Sequence, residues 1–337
     1  MKILYAVQKT GNGHLARAQE LIPILEQYGE VDILASGTQS QLKLNKLIKF
    51  SFTGISLYYN KKGAISILNT ILHLNIFRII KEIRSVPLKD YDLVINDFEP
   101  ISAWKSVFCK SNIVSVSHQS ALLHKEVPKP KVYNWLGELI LHYYAPIRRK
   151  YGFHFQNYAD NIFTPIIRQE VRNLKVENRE QYLVYLPSYS NKILYKILQN
   201  LGSKWIVFSK QSVMKEKIGN CTFYPIQQDL FLKTLAKSKG VLCSAGFELP
   251  AETIYLNKKL MVVPIKNQYE QYYNAAALEQ MGVCVNHSIS SEKVEQWMHS
   301  ETEVFRQYTN NAAFVIQKII QETTAETNQQ LVLGESN

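Results

Sequence analysis

The chain has 337 residues, enough for two domains at the usual ~100–200 residues each. With 46% hydrophobic and 20% charged residues it buries a core, which excludes a disordered chain. The net charge of +11 is concentrated in residues 1–150, where 20 Lys/Arg face 11 Asp/Glu; such a half suits a membrane surface, nucleic acid or a phosphorylated ligand, or simply serves solubility.

The opening run, Met1 to Val7, ends at Gln8 and is too short for a signal-peptide apolar region of ~7–15 residues. It reads as a buried strand over 3–7, followed by a helix over 14–28 and a strand over 31–34. Residues 42–84 interleave Lys43, Lys46, Lys49, Lys61, Lys62, Arg78, Lys81 and Arg84 with aliphatic and aromatic side chains. A basic, apolar surface of this kind lies on anionic lipid; the alternative is an apolar core with solvated lysines. The longest apolar stretch, 64–80, is broken by Asn69, His73, Asn75 and Arg78 and falls short of the ~20 apolar residues of a membrane span. Strands are expected at 93–96, 113–116 and 161–164. A polar linker over 168–181 precedes a second series of strands at 182–186, 205–208, 222–224, 240–243, 259–263 and 283–285. Helical patterns at 191–201, 230–238 and 272–281 lie between them. Another near 304–321 has the first domain as a candidate docking site, and the polar tail after Glu322 is expected to fray. Strand–helix alternation predicts parallel sheets covered on both faces, hence two doubly wound domains: 1–167, and 182–322 after the linker, with 323–337 as tail. Cys109, Cys221, Cys243 and Cys284 form no CxxC pair, so neither a zinc site nor disulfides are expected, and a cytoplasmic setting fits.

In open parallel sheets ligands bind beyond the carboxyl ends of the strands, so the loops there carry the argument. The first is Thr10-Gly11-Asn12-Gly13-His14, whose glycines admit close backbone approach. Gly11 to Ala16 also fits GxGxxA, but the acidic residue a dinucleotide site requires is offered only by Asp32, at the wrong end of its strand. His14 stands at a helix start, where the dipole favours neutral imidazole, the form that accepts a proton; a plain turn with a capping histidine is the simpler alternative.

The second loop, Ser244-Ala245-Gly246-Phe247, follows a strand ending at Cys243 and leads into a helix with Pro250 in its first turn. Free N–H groups and a positive dipole end at such a start suit a diphosphate, and Glu252 is placed to accept from a ribose diol. After the strand ending at Pro264 a third loop leads to Glu270 and Gln271, an acid and an amide suited to sugar hydroxyls. Packing explains either loop alone; it does not readily explain both at consecutive strand ends.

These residues resemble the GT-B glycosyltransferases, the group of the lipid II-forming N-acetylglucosaminyltransferase, the monogalactosyldiacylglycerol synthases and the UDP-glucuronosyltransferases. Gly11–His14 matches the first loop. Gly246 followed six residues later by Glu252 matches the donor pattern, and Glu270-Gln271 with Asn274-Ala275 matches the closing acid/amide pair. Asn96-Asp97-Phe98-Glu99-Pro100 and Ser117-His118-Gln119 resemble loops of bacterial members. The resemblance implies two Rossmann-like domains facing a cleft and no cofactor beyond a UDP-linked sugar donor. The diphosphate then lies over Ser244, Ala245, Gly246 and Phe247 with Gly13 opposite, Ser188 lines the same cleft, Ile226 meets the base, Glu252 holds the ribose, and Glu270 and Gln271 hold the sugar. His14 deprotonates the acceptor hydroxyl, giving a single displacement with inversion. Asp97 is the candidate to orient it, with Glu99 equally acidic in the same loop. Gly11, Asn12, Glu99 and His118 fall on the acceptor side. A lipid-linked acceptor at the inner face of the cytoplasmic membrane follows from the same relatives.

The sequence departs from the pattern at Leu186-Pro187-Ser188, where a Gly-Gly-Ser or Gly-Gly-Thr is usual, and at Phe247 and Glu248 after the phosphate-loop glycine. A carboxylate at 248 repels a diphosphate unless it points away. Asp90-Tyr91-Asp92 resembles a metal-binding DxD motif but precedes its strand and reads as a turn, so no metal is expected. Two rival readings stay open: a nucleotide-sugar epimerase of the same fold, using Asp97, Glu99 and His118 for elimination, and a basic nucleic-acid-binding protein, for which no recognition-module signature is present. A nicotinamide-dependent oxidoreductase leaves the second-domain loops unexplained.

Overall fold

The computed structural model describes residues 1–9, 12–37, 44, 46–55, 75–132, 134–301 and 304–334, with side chains described as far as residue 325. The first sheet holds β1 (Lys2–Gln8), β2 (Glu30–Ser36), β3 (Phe50–Phe52), β4 (Leu93–Asp97), β5 (Ile113–Ser117), β6 (Lys150–Phe153) and β7 (Ile162–Phe163). Its order is β3-β2-β1-β4-β5-β6-β7, with neighbours parallel throughout. The second holds β8 (Arg179–Tyr185), β9 (Lys204–Phe208), β10 (Glu216–Ile218), β11 (Cys221–Tyr224), β12 (Ser238–Cys243), β13 (Lys259–Val262) and β14 (Cys284–Val285). Its order is β10-β11-β9-β8-β12-β13-β14, parallel except for the β10–β11 edge pair.

Burial explains why these runs are strands. In β1, Ile3, Tyr5 and Val7 feed one apolar cluster while Leu4 and Ala6 feed another, so both faces of the sheet are covered. In β8, Leu183 faces one cluster and Tyr182 and Val184 the other. Among the parallel strands, the order reverses between β1 and β4 in the first sheet and between β8 and β12 in the second. Ligand crevices open at such reversals, beyond the carboxyl ends of the strands. Four loops therefore bear on function: those after β1, β4, β8 and β12.

Several elements differ from the sequence reading. Strands β3, β6 and β10 were not anticipated, because three or four residues carry too little periodicity to be read. In β6, Gly152 is required by contact: a Cβ there would lie 2.7 Å from the Cβ of Ala121. The stretch 168–181, read as a linker, contains the helix Gln169–Arg172 and the start of β8. Asp90-Tyr91-Asp92 lies at a 3-10 turn, Leu88–Asp90, with Asp92 accepting the Lys2 N–H at 2.7 Å. The last helix begins at Ala312, later than expected, and runs to Gly334 rather than fraying after Glu322. It packs on the first half: Val315, Ile316, Ile319 and Ile320 join the main core beside the helix Asn12–Leu25. Lys318 donates to the Asp160 carbonyl at 3.0 Å, Tyr151 bonds Glu322, and Thr323 is buried, so the helix is anchored as far as that residue.

Among the described residues, no helix is long and apolar enough to cross a membrane. Replacing Ile319 by Ala is expected to cost about 3 kcal/mol, the usual loss for a buried isoleucine truncated in a filled core. Urea unfolding followed by circular dichroism measures it; a loss below about 1 kcal/mol would show that the last helix contributes little to holding the halves together.

Candidate active site

Strand β1 ends at Gln8, and the helix Asn12–Leu25 carries His14 in its first turn. One turn later, Arg17 lies on the same face of that helix. Strand β4 ends at Asp97, with its side chain wholly buried. The turn that follows is tight: Phe98 sits in the left-handed region at φ 54°, a conformation that costs a non-glycine residue about 1–3 kcal/mol. Phe98 stacks on Tyr144 at 4.9 Å and lies parallel to the His14 ring at 6.3 Å. This turn sends neighbouring acids to different tasks. Asp97 faces His14, with Nδ1 to Oδ1 at 2.8 Å. Glu99 instead caps the helix Pro100–Phe108, accepting the Ile101 and Ser102 N–H groups at 2.7 Å each.

Asp97 is held by more than His14. Arg17 donates Nε to Oδ2 at 2.9 Å and Nη2 to Oδ1 at 2.8 Å, and the Tyr5 hydroxyl reaches Oδ2 at 3.3 Å. Burial alone raises a carboxyl's pKa; here Arg17 and His14 outweigh it and hold Asp97 below the usual range. An ionised Asp97 accepts only, so it selects the His14 tautomer with the proton on Nδ1 and leaves Nε2 with its lone pair.

On the second sheet, β12 ends at Cys243 and, after a loop of four residues, the helix Glu248–Tyr255 begins. Ser244, Gly246 and Phe247 line a cleft of about 580 Å³ between the two sheets, opposite Asn12, Gly13 and His14. In front of Gly246 a Cβ would meet nothing within 4 Å, so the loop faces open space. Glu248 turns across the cleft: its Oε1 accepts from Arg17 Nη1 at 3.1 Å, and its Cγ would lie 3.1 Å from a Cβ at Gly13, which is why glycine fits there. Burial raises the Glu248 carboxyl to about 7; Arg17 opposes this and Glu252 adds to it. Glu252 is buried and held in a fork by Arg168, Nε to Oε1 at 2.6 Å and Nη2 to Oε2 at 2.9 Å.

Other contacts join the halves around the cleft. Glu270 accepts from Gln119 Nε2 at 3.1 Å. The His118 ring lies between the Phe153 carbonyl at 2.8 Å and Asn274 Oδ1 at 2.7 Å, and it stacks on Phe247 at 3.9 Å. Burial lowers the His118 pKa despite the pull of Glu270. Gly137, on the helix Trp135–Tyr143, abuts Tyr269 on the helix Tyr269–Gln280 so closely that no Cβ fits.

Of the residues singled out from sequence, the structure gathers Asn12, Gly13, His14, His118, Ile226, Ser244, Gly246, Phe247, Glu252 and Glu270 around this one cleft. Asp97 stands directly behind His14. The rest do not line it. Ala245 is fully buried, with its carbonyl accepting from Asn274 at 3.1 Å. Gln271 is buried and spends its Oε1 on the Ile265 N–H at 2.9 Å. Ser188 is exposed in the loop ahead of the helix Asn191–Leu198. Glu99 points into its helix cap, away from the acceptor side where the sequence reading put it. Gly11 lies outside the described residues. Sequence reasoning missed Arg17 and Arg168 and named Gln119 only within its loop, without a role; for Arg17 the signal was present, since three residues after His14 is one helical turn. Among the described residues, no three His, Cys, Asp or Glu side chains gather as a metal site.

The family model described as Glycosyl transferase family 1 matches residues 1–300. No curated protein sequence gives a significant match. Among solved structures, the chain is similar to the glycotransferase of kitacinnamycin, with 12% identity over 96% of this chain and 95% of that one, at a TM-score of 0.57. It is similar to the spinosyn forosaminyltransferase SpnP, with 11% identity over 99% of each chain and a TM-score of 0.57. It is also similar to MurG of Acinetobacter baumannii, with 15% identity over 94% and 99% of the two chains and a TM-score of 0.52. At these identities the likeness shows the fold: two Rossmann-like sheets facing a cleft, the GT-B architecture expected from the sequence.

Glu248 makes the site's electrostatics measurable as stability. Its folded pKa of about 7 lies above the ordinary 4.5, so the native state binds its proton more tightly than the unfolded chain. The stability gained from that proton is complete below the unfolded value and lost as pH rises toward 7. Glu248→Gln carries no such titration. The variant is therefore expected to melt higher than wild type at pH 8, with the gap closing by pH 5, in thermal melts across that range. A variant that melts lower at pH 8 would mean that the Arg17 ion pair outweighs the burial of the charge.

Proposed function

The chain belongs to glycosyl transferase family 1, enzymes that move a sugar from a nucleotide-sugar donor to an acceptor, and on that premise we propose that it takes a hexose or N-acetylhexosamine from a UDP-sugar and transfers it with inversion to a hydroxyl of a lipid-linked acceptor. The observation that carries this reading is the His14–Asp97 contact of 2.8 Å, with His14 lining the same cleft as the Gly246 loop. A neutral imidazole there takes the acceptor proton at Nε2. The acceptor oxygen then attacks the anomeric carbon from the face opposite the diphosphate, whose oxygen leaves with the bonding pair. Asp97, kept ionised by Arg17, orients His14 and offsets the charge of the imidazolium that forms.

The donor fits the other wall. Its diphosphate lies over Gly246 at the start of the helix Glu248–Tyr255, beside Ser244. The base lies near Ile226, and the sugar reaches Glu270. Glu252 holds the ribose: each of its oxygens gives one lone pair to Arg168 and keeps another for a hydroxyl. In this reading residues 1–167 serve the acceptor and 182–322 the donor. Cytoplasmic placement at the inner face of the membrane goes with it, supported by the helix Ile76–Ser85, where Ile76 and Phe77 are exposed beside Arg78, Lys81 and Arg84. Lys46 and Lys49 form ion pairs with Glu26 and Asp32, while Lys43, Lys61 and Lys62 lie outside the described residues.

UDP binding by calorimetry is expected in the micromolar range and to weaken at least tenfold, about 1.4 kcal/mol, in Glu252→Ala. His14→Ala is expected to bind UDP within threefold of wild type yet release it from a UDP-sugar about 10²–10⁴ times more slowly. Unchanged turnover in His14→Ala would end the general-base assignment, and an epimerised sugar formed from donor alone would make the protein an epimerase of this fold. The membrane assignment is tested separately, by flotation with phosphatidylglycerol vesicles; a protein that stays at the bottom of the gradient has no such surface.

A further inference from the structure

Arg17 stands where one cation serves two anions. Its Nε and Nη2 are committed to Asp97, at 2.9 and 2.8 Å, so the guanidinium plane is fixed from the first half. Its third nitrogen, Nη1, points across the cleft to Glu248 at 3.1 Å. Glu248 opens the helix whose start faces the space in front of Gly246. Helix starts favour anions, but Glu248 and Glu252 are one turn apart on the same helix, and each is matched to an arginine from outside the second sheet. The two pairs differ in grip. Glu252 receives a two-nitrogen fork from Arg168 and is buried, whereas Glu248 receives one nitrogen and keeps 26% of its side chain exposed. Glu248 is thus the carboxylate that can turn away while leaving the Arg17–Asp97 pair intact.

We propose that Glu248 competes with the donor diphosphate for Arg17, and that on donor binding Arg17 Nη1 passes from the Glu248 carboxylate to a diphosphate oxygen. This deepens the donor-site reading above and rests on it. The exchange answers how a site with a glutamate beside its phosphate loop accepts a diphosphate: the glutamate is displaced, and the arginine it leaves behind becomes a ligand. As the bond from the anomeric carbon to the diphosphate oxygen breaks, the electron pair moves to that oxygen and Arg17 Nη1 stabilises it. The acceptor proton goes to His14 on the other side of Asp97. One guanidinium then touches both the leaving group and the carboxylate behind the base.

Displaced from Arg17 and left near a diphosphate, Glu248 loses its stabilising cation and gains negative neighbours. The groups facing it are Arg17 and His14 from the helix Asn12–Leu25, Glu252 from its own helix, and Arg168 from the connecting segment. Its carboxyl already sits near 7 through burial, so displacement carries it to the protonated form with a proton taken from solvent. Donor binding then takes up a proton and strengthens as pH falls.

The test compares UDP, dTDP and GDP with uridine on wild type, Glu252→Ala, Arg17→Gln and Glu248→Gln. Arg17→Gln is expected to weaken UDP binding at least tenfold and to leave uridine, read by ligand-observed NMR, within twofold. Because Arg17→Gln also strips a cation from buried Asp97 and risks misfolding, Glu248→Gln is the second probe. It is expected to bind UDP more tightly than wild type at pH 8. Between pH 6 and pH 8, wild-type affinity is expected to fall by about tenfold more than that of Glu248→Gln, the signature of one linked proton. Comparing two proteins with one ligand cancels the ionisation of UDP itself. Weaker UDP binding by Glu248→Gln, or equal losses of UDP and uridine in Arg17→Gln, overturns the exchange. If the exchange alone is wrong, wild type still binds UDP and Glu252→Ala still loses it. If wild type binds none of the three nucleotides, the donor-site reading falls as well.

Discussion

A carboxylate with no exposed surface costs several kcal/mol unless charge and hydrogen bonds compensate it, and Asp97 is such a carboxylate at the end of a central strand. Four donors meet it: two nitrogens of Arg17, the Tyr5 hydroxyl and His14 Nδ1. Each comes from β1 or from the helix that follows it. The pairing of β4 beside β1, with Val7 opposite Asp97, is what brings them together. The ion pair therefore constrains the strand order, the entry angle of the first helix and the orientation of the candidate base at once. It also explains why a bulky residue tolerates a left-handed conformation at Phe98, since that turn lets Asp97 face the helix while Glu99 closes the next one.

The two halves meet through two kinds of contact. Far from the cleft the join is built on an apolar face, with Val315, Ile316 and Ile319 of the last helix against the first half, and hydrogen bonds such as Tyr308 to the Phe155 carbonyl at 3.1 Å flank it. Around the cleft, single polar contacts, Arg17–Glu248, Gln119–Glu270 and His118–Asn274, sit beside the His118–Phe247 stack and the Gly137–Tyr269 contact. Burial of apolar area is worth roughly 25 cal/mol per Å² and has no partner to exchange, whereas a single hydrogen bond nets about 1 kcal/mol, or about 1.5–3 kcal/mol to a charged group, because water or a ligand offers the same. The firm contacts thus lie where the chain crosses back and the exchangeable ones lie where ligands enter.

Much of this was legible in the sequence, for identifiable reasons. Long buried runs such as 3–7 and 240–243 carry the strand signal in their own composition, and a glycine-rich turn after each marks where a ligand approaches. The first loop and the Gly246 loop were found that way, and Glu270 as half of an acid/amide pair after the next strand end; Asn12, Gly13, His14, Gly246 and Glu270 all line one cleft. Short edge strands carried no such signal. Nor did side-chain direction: Asp97 and Glu99 differ by two positions in one loop, and only the φ of Phe98 decides which faces the histidine. Gln271 and Glu270 are adjacent on one helix, so the helical rotation that brings one to the cleft turns the other to its own loop. Arg168 sat in a polar stretch that reads as a linker because pairing to a residue 84 positions later leaves no local trace.

His118 shows how the polar side of the join is balanced. Asn274 donates Nδ2 to the Ala245 carbonyl at 3.1 Å, which turns its Oδ1 toward His118 Nε2. His118 Nδ1 faces the carbonyl of Phe153. Both ring nitrogens thus face acceptors, and burial holds the ring on the neutral side, with one proton for two partners. Rotating the Asn274 amide does not help, since its oxygen would then face the Ala245 carbonyl. One contact in the chain from Phe153 to Ala245 is therefore always short of a hydrogen, and the chain crosses from the first half to the second. A fully matched network here would lock the two sheets at one spacing. An under-protonated one packs the cleft through the His118–Phe247 stack while adding little to the cost of separating its walls.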